Sequence, residues 1–135
     1  MKISLYGCSL GYHRGIIRHL AELGHHITFH EPALEGVERA LDDSRDANVV
    51  IKVSGGAHAD ILEREVLARR TAGQVVVFWD IDPPATLDRL TGNAADPFRA
   101  LVPQYDLVFT YGGGSAVVTR YKNFGARECV PIYNA

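Results

Sequence analysis

Cysteine is nearly absent: Cys8 and Cys129 are the only two, far apart in the chain and without a CxxC or a histidine at ligand spacing. That excludes a disulfide framework and a Cys/His zinc site, and it predicts two free thiols. A surplus of one charge is missing as well. Fourteen Lys and Arg stand against sixteen Asp and Glu, a formal charge of -2, so no basic excess exists to neutralise a nucleic-acid backbone or an anionic membrane, and neither is expected as a partner. Long apolar runs are lacking too. The longest, Val75–Trp79, falls far short of the ~20 residues that cross a bilayer. The start, Met1-Lys2-Ile3-Ser4-Leu5-Tyr6-Gly7, holds one Lys but no apolar stretch of signal-peptide length; it reads as mature structure, with a cytoplasmic location expected. Repeats and low-complexity linkers are also absent, and 135 residues make one domain by size.

What is there is an ordinary folding composition, 47% hydrophobic and 22% charged, arranged as short β-branched runs alternating with stretches of helical period. Strands are predicted at 2–6, 26–30, 47–53, 74–79, 106–111 and 128–132. Helices are predicted at 12–23, 34–41, 59–70 and 116–124. In the first, Ile16, Ile17, Leu20 and Leu23 share a face, and Gly24 supplies the stop; Gly125 closes the last. Asp82-Pro83-Pro84 reads as an N-cap with proline in the first turn. Segment 91–104, broken by Gly92, Asn93, Pro97 and Pro103, is expected to be a loop with a helical turn at 98–101. Strand and helix in strict alternation predict an α/β fold: a Rossmann-like, doubly wound parallel sheet of about six strands, with helices on both faces in three layers.

In such sheets ligands meet the carboxyl ends of the strands, and the unusual residues of this chain lie in those turns. Gly7, Gly11 and Gly15 in the first turn do not have the GxGxxG spacing, which disfavours a dinucleotide cofactor. Gly7-Cys8-Ser9-Leu10-Gly11 matches a nucleophile elbow, yet the last histidine is His58, ahead of the prominent acids Asp80 and Asp82, against the order of a hydrolase triad. No GxxxxGK[ST] occurs, so a P-loop hydrolase is excluded. Gly112-Gly113-Gly114 ahead of Ser115 as a helix cap reads either as an anion-binding nest or as a tight turn. Ser54-Gly55-Gly56 is a weaker signal of the same kind. Asp80, after Phe78-Trp79, reads either as a general base with a raised pKa or as a loop anchor. Asp82 favours the capping role, and no third ligand makes the pair a metal site. His13 and Arg14 open the first helix, where they meet either a ligand or solvent; His19, His25, His26 and His30 read as structural or solvated.

Several segments together, Tyr12-His13-Arg14-Gly15-Ile16-Ile17-Arg18, Phe29-His30-Glu31-Pro32, Phe78-Trp79-Asp80-Ile81-Asp82 with Pro84-Ala85-Thr86-Leu87, and Tyr111-Gly112-Gly113-Gly114, resemble the N-terminal half of CgeB-like (spore-maturation type) glycosyltransferases of the GT-B fold. The resemblance runs in order over nearly the whole chain. It implies two Rossmann-like domains facing a cleft, this one on the acceptor side and a missing C-terminal domain holding the nucleotide-sugar donor, with no metal or other cofactor. Carried over by position, it implies that the loop Gly7–His13, with Gly7, Ser9, Gly11, Tyr12 and His13, approaches the donor phosphates. Asp80, with Tyr111, Gly112, Gly113, Gly114 and Ser115, would line the acceptor pocket; Asp80 and His13 are the candidate catalytic residues. Arg14, Ser54, Gly55 and Asp82 complete the ligand-binding candidates. The implied partners are a small-molecule or glycan acceptor, the missing domain, and a second copy through the interdomain face. The first loop and the stretch between Pro32 and Asp46 are shorter than the family pattern, which predicts a truncated or engineered domain, inactive alone. The alternative expectation is a stand-alone module that binds a small anion or nucleotide without catalysis.

Overall fold

The computed structural model describes residues 1–7, 10–30 and 33–133, with backbone only at 10–12. Six strands form one sheet in the order β2-β1-β3-β4-β5-β6. The strands are β1 (Lys2–Tyr6), β2 (His26–His30), β3 (Val49–Val53), β4 (Val75–Asp80), β5 (Leu107–Tyr111) and β6 (Cys129–Ile132). Helices α1 (Leu10–Glu22), α2 (Val37–Asp43), α3 (Ala59–Ala68), α4 (Pro83–Gly92), α5 (Phe98–Leu101) and α6 (Gly114–Asn123) connect them. The protein is thus a Rossmann-like three-layer α/β fold, and its strand order is the flavodoxin-type 2-1-3-4-5 extended by one strand. The chain divides into two compact units, Met1–Val76 and Val77–Ala135.

In the first unit β1 pairs in parallel with β2 from Lys2↔His26 to Tyr6↔His30, and with β3 from Ile3↔Val49 to Tyr6↔Lys52. The alternation of a strand sends Ile3 and Leu5 to one face and Ser4 and Tyr6 to the other. Tyr6 meets α2, donating its hydroxyl hydrogen to the Ala40 carbonyl at 2.6 Å, and it stacks on His30 with centroids 4.7 Å apart. Phe29, on the opposite face, meets His13 of α1. So α1 and α2 cover opposite faces, as right-handed crossovers running in opposite directions from β1 require. Arg69, just past α3, ties that helix to α2 through ion pairs with Glu38, Asp42 and Glu65. Gln74 Nε2 donates to the carbonyls of Ser44 and Ala47, fastening the turn before β3.

In the second unit β5 pairs in parallel with β4 and β6. Phe78, Phe98 and Tyr105 form an aromatic cluster with centroids 4.5 to 6.2 Å apart. That cluster orders 91–104 into the end of α4, α5 and a 3-10 turn at Val102–Gln104, with the helical turn at the predicted place. Proline at the first two positions of α4 removes two orphan N–H groups, and the Asp82 carboxylate accepts from the next, Ala85 N, at 3.4 Å.

Most strand boundaries shift by one or two residues from the sequence reading, and α3 ends at Ala68; the larger differences lie at α1, α2 and α6. Helix α1 begins at Leu10 and ends at Glu22, so Leu23, predicted on its apolar face, is 61% exposed. Gly24 does close it, at φ +84°, with Gly24 N donating to Ala21 O. The segment 34–36 is 3-10, and α2 continues to Asp43. Helix α6 starts at Gly114, and its N-cap is Gly113, not Ser115. The reason for the last is that Gly112, Gly113 and Gly114 all take positive φ, +65°, +87° and +54°, so the chain turns into the helix before the serine. Among the described residues no helix is long and apolar enough to cross a membrane.

Candidate functional site

Strand order reverses in the first unit. From β1 the chain crosses by α1 to β2, then returns past β1 to β3, so the exits of β1 and β3 leave toward opposite faces and their carboxyl ends form a topological switch point, the place where open α/β sheets take ligands. Gly7 is the β1 exit. Its N–H donates to the His30 carbonyl at 3.1 Å, and a Cβ there would lie 2.7 Å from Phe29 Cε2 and 2.8 Å from His13 Cδ2, so only glycine fits. His13 is thereby the packing under the exit, 1% exposed, its ring centroid 5.9 Å from that of Phe29. Burial lowers its pKa, because desolvation disfavours the charged imidazolium. Arg14 is exposed. Ser9 and Cys8 lie outside the described residues, and Gly11 and Tyr12 are placed only as backbone in the first turn of α1.

The β3 exit is Ser54-Gly55-Gly56. Ser54 is buried; Gly55 and Gly56 are exposed, with φ of +72° and +85°. His58, the N-cap of α3, also takes a positive φ of +57°, the only non-glycine among the described residues to do so. Beneath this turn lies Lys52, 1% exposed, whose ammonium donates to the Val53 carbonyl and, at 3.1 Å, to that of Gly55. Lys52, Tyr6 and His30 stand in register across the three strands, a buried polar row at their carboxyl ends. Desolvation pushes the Tyr6 phenol up to about 12, with Asp43 adding and the Ser44 bond opposing. It lowers the His30 pKa, against the pull of Asp43.

In the second unit Asp80 is 0% exposed. One oxygen accepts from Asp82 N at 3.1 Å and from Thr86 Oγ1 at 3.0 Å; the other accepts from the Tyr121 hydroxyl at 2.5 Å. The carboxylate therefore ties β4 to α4 and α6, the geometry of the anchoring alternative of the sequence reading. Cys129, free and buried beside it, has its thiol pushed up to about 11 by desolvation. The Gly112–Gly114 turn holds Thr110 Oγ1 at 3.0 Å on the Gly112 carbonyl. Tyr111 at the end of β5 is 43% exposed and Ser115 is exposed. Tyr133, 64% exposed, lies close over the turn: a Cβ on Gly112 or Gly114 would come within 3.9 and 3.7 Å of its ring and hydroxyl. Among the described residues no three His, Cys, Asp or Glu side chains are grouped to hold a metal ion.

No protein-family model, curated protein or solved structure matches the chain.

The predicted residues thus fall into two sets. Gly7, His13, Ser54 and Gly55 belong to the switch point of the first unit, and Asp80, Asp82, Tyr111, Gly112, Gly113, Gly114 and Ser115 to the second unit. Lys52 and Tyr133 are absent from the sequence reading. A lysine inside the apolar run Val49–Val53 is the signal that marks Lys52, since a lone charge on a central strand is buried only with partners. Tyr133 carries no such signal, because its exposure and its glycine shelf arise from tertiary placement.

Proposed function

We propose that this chain is the acceptor-side α/β domain of a nucleotide-sugar-dependent glycosyltransferase, with a ligand crevice at the β1/β3 switch point. The observation that carries the reading is the reversal of strand order between two exits that both bear glycine, Gly7 and Gly55-Gly56, where backbone can approach a ligand closely. The order of the sequence segments that resemble CgeB-like enzymes supports the same assignment. In this reading the domain supplies binding surface, a second domain supplies the nucleotide half of the donor site, and the acceptor is a glycan or small molecule. His13 shapes the floor of the crevice, and Asp80 holds the β4 exit in place.

A second reading, a module that takes a small anion at Gly112–Ser115, is favoured by one observation: α6 begins there without a side-chain cap. Amide chemical shifts separate the two. Titration of the isotopically labelled chain with UDP, GDP and their sugars is expected to move Gly7 and Gly55 saturably, with no sugar transfer by this chain alone. Movement confined to Gly112–Ser115 would establish the second reading instead, and turnover at an ordinary enzymatic rate would remove the acceptor-domain reading.

A further inference from the structure

We propose that β2 is a docking edge for a second copy of this chain, the two β2 strands pairing antiparallel about Thr28 so that the sheets of both copies join. Strand β2 ends the sheet, and among the described residues no strand lies beyond it. His26 N donates to Met1 O, and the His30 carbonyl accepts from Gly7 N. The alternation of a strand therefore turns the backbone of His26, Thr28 and His30 toward β1 and that of Ile27 and Phe29 to the open side. Nothing blunts that side. The register with β1 runs without a bulge, and His26-Ile27-Thr28-Phe29-His30 holds no proline, lysine or acid, whereas β6 turns Pro131 to its own open edge. The five residues are also self-complementary. In an antiparallel pair centred on Thr28, Ile27 of each copy stands opposite Phe29 of the other, a β-branched residue against an aromatic one. Both pairs exchange their N–H···O=C bonds, because Ile27 and Phe29 are the residues whose backbone is open. Thr28, which is exposed, meets its own copy on the axis as a non-hydrogen-bonded pair, an arrangement that suits threonine. Moving the centre to Ile27 or to Phe29 sets the other of the two against a residue outside the strand. The face above the joint fits as well: Ile27 and Phe29 are half-buried, Phe29 meets α1 at His13, and Ile16, Ile17 and Leu20 of α1 are half-buried too. The two α1 helices come side by side and antiparallel, which sets the Arg14 end of each against the Glu22 end of the other, unlike charges together. One strand and part of one helix amount to less than the ~800 Å² per partner of a standard complex, so the dimer is weak and reversible. It goes beyond the acceptor-domain reading and stands apart from it, since the ligand candidates of that reading take no part in the pairing.

Sedimentation equilibrium of the intact chain is expected to show a monomer at low concentration and a dimer that grows in as the concentration rises. Thr28 is the position to vary, because it is exposed and lies on the axis. Thr28→Lys is expected to weaken dimerisation about tenfold or more by setting two ammonium groups against each other, and Thr28→Glu to do the same with two carboxylates. An equal mixture of the two variants is expected to associate at least as tightly as the parent chain, the mark of an axis through this residue. Thr28→Cys gives a separate readout. Non-hydrogen-bonded antiparallel pairs hold their Cα atoms about 4.5 Å apart, within disulfide reach, so mild oxidation is expected to trap a covalent dimer well above the level of the parent chain or of Ala94→Cys, an exposed position in the second unit. A parent chain that stays monomeric at millimolar concentration overturns the proposal, whatever else takes the edge, and it does so even if the Thr28 variants fail to fold. A dimer that Thr28→Lys leaves as tight as the parent's lies on another surface and overturns it too.

Discussion

Single residues in this protein do their work chiefly by being satisfied or by being small. Asp80 and Tyr121 form a buried donor and acceptor pair, and desolvation together with the Asp80 charge raises the tyrosine pKa far above its ordinary range. Replacing Tyr121 with Phe removes the donor and leaves a buried carboxylate oxygen without it. Urea unfolding is expected to register a loss of about 1–3 kcal/mol, and an unchanged midpoint would show that Asp80 is held by its other two donors alone. The glycines offer a sharper comparison. Gly24 and Gly113 have nearly the same φ, +84° and +87°, but a Cβ on Gly24 meets nothing within 4 Å, whereas on Gly113 it would collide with Val117 Cγ2. Gly24→Ala is expected to lose about 1–2 kcal/mol from left-handed strain, and Gly113→Ala distinctly more, because the clash adds to the same strain. Equal losses would mean that Val117 moves aside freely. Both positive φ values sit at sites that the sequence marks with glycine, but the clash at Gly113 depends on Val117 one helical turn later and is invisible until α6 is built.

Elements were legible wherever local period and burial agree. The run Val75–Trp79 reads as a central strand because both of its faces are apolar, and β4 is buried from Val76 through Asp80. The N-cap of α4 was legible for a local reason as well, since Asp82 and its prolines act within a single turn. Asp82→Ala is expected to lower stability by about 1 kcal/mol in urea unfolding; a variant as stable as the parent would mean that Pro83 and Pro84 alone define the helix start. Segment 91–104 was the least legible, because its order comes from Phe98 and Tyr105 reaching Phe78 on β4, a contact that no local pattern encodes. Strand β6 shows a further element-scale device. Glu128 and Ile132 accept from β5 through their carbonyls, so the alternation turns the backbone of Cys129 and Pro131 to the open edge, and proline there has no N–H to offer. Pro131→Val is therefore expected to raise self-association measured by light scattering, and a strictly unchanged mass at high concentration would rule that role out.

At the scale of the whole molecule, the titrating groups bound the pH range in which the fold is most stable. His13 and His30 have pKa values lowered by burial, so below about pH 6.5 the unfolded chain binds protons that the folded chain resists, and stability falls as the pH drops. At the alkaline side the signs reverse in cause but not in effect. Cys129 is raised from 9.0 to about 11 and Tyr6 from 10.0 to about 12, so each ionises first in the unfolded chain, and stability is lost as the pH rises past 9 and then 10. Denaturant midpoints measured from pH 5 to pH 11 are expected to form a plateau between about 7 and 9. A midpoint that rises on acidification would show that the two histidines gain a partner on protonation.

By itself the sequence determined the alternation of strands and helices, the parallel character of the sheet, and the positions of the turns that carry glycine, because each of these follows from period, propensity and backbone freedom within a few residues. It also placed Gly7 and Gly55 among the ligand candidates. Only the tertiary structure decided the order β2-β1-β3 that brings those two exits to one switch point, the engagement of Asp80 by Tyr121 and Thr86, and the burial of Lys52 under its own turn. These depend on which strands become neighbours. Neighbour choice is settled by the handedness of crossovers and by side-chain contacts between residues far apart in the chain, which no local pattern records.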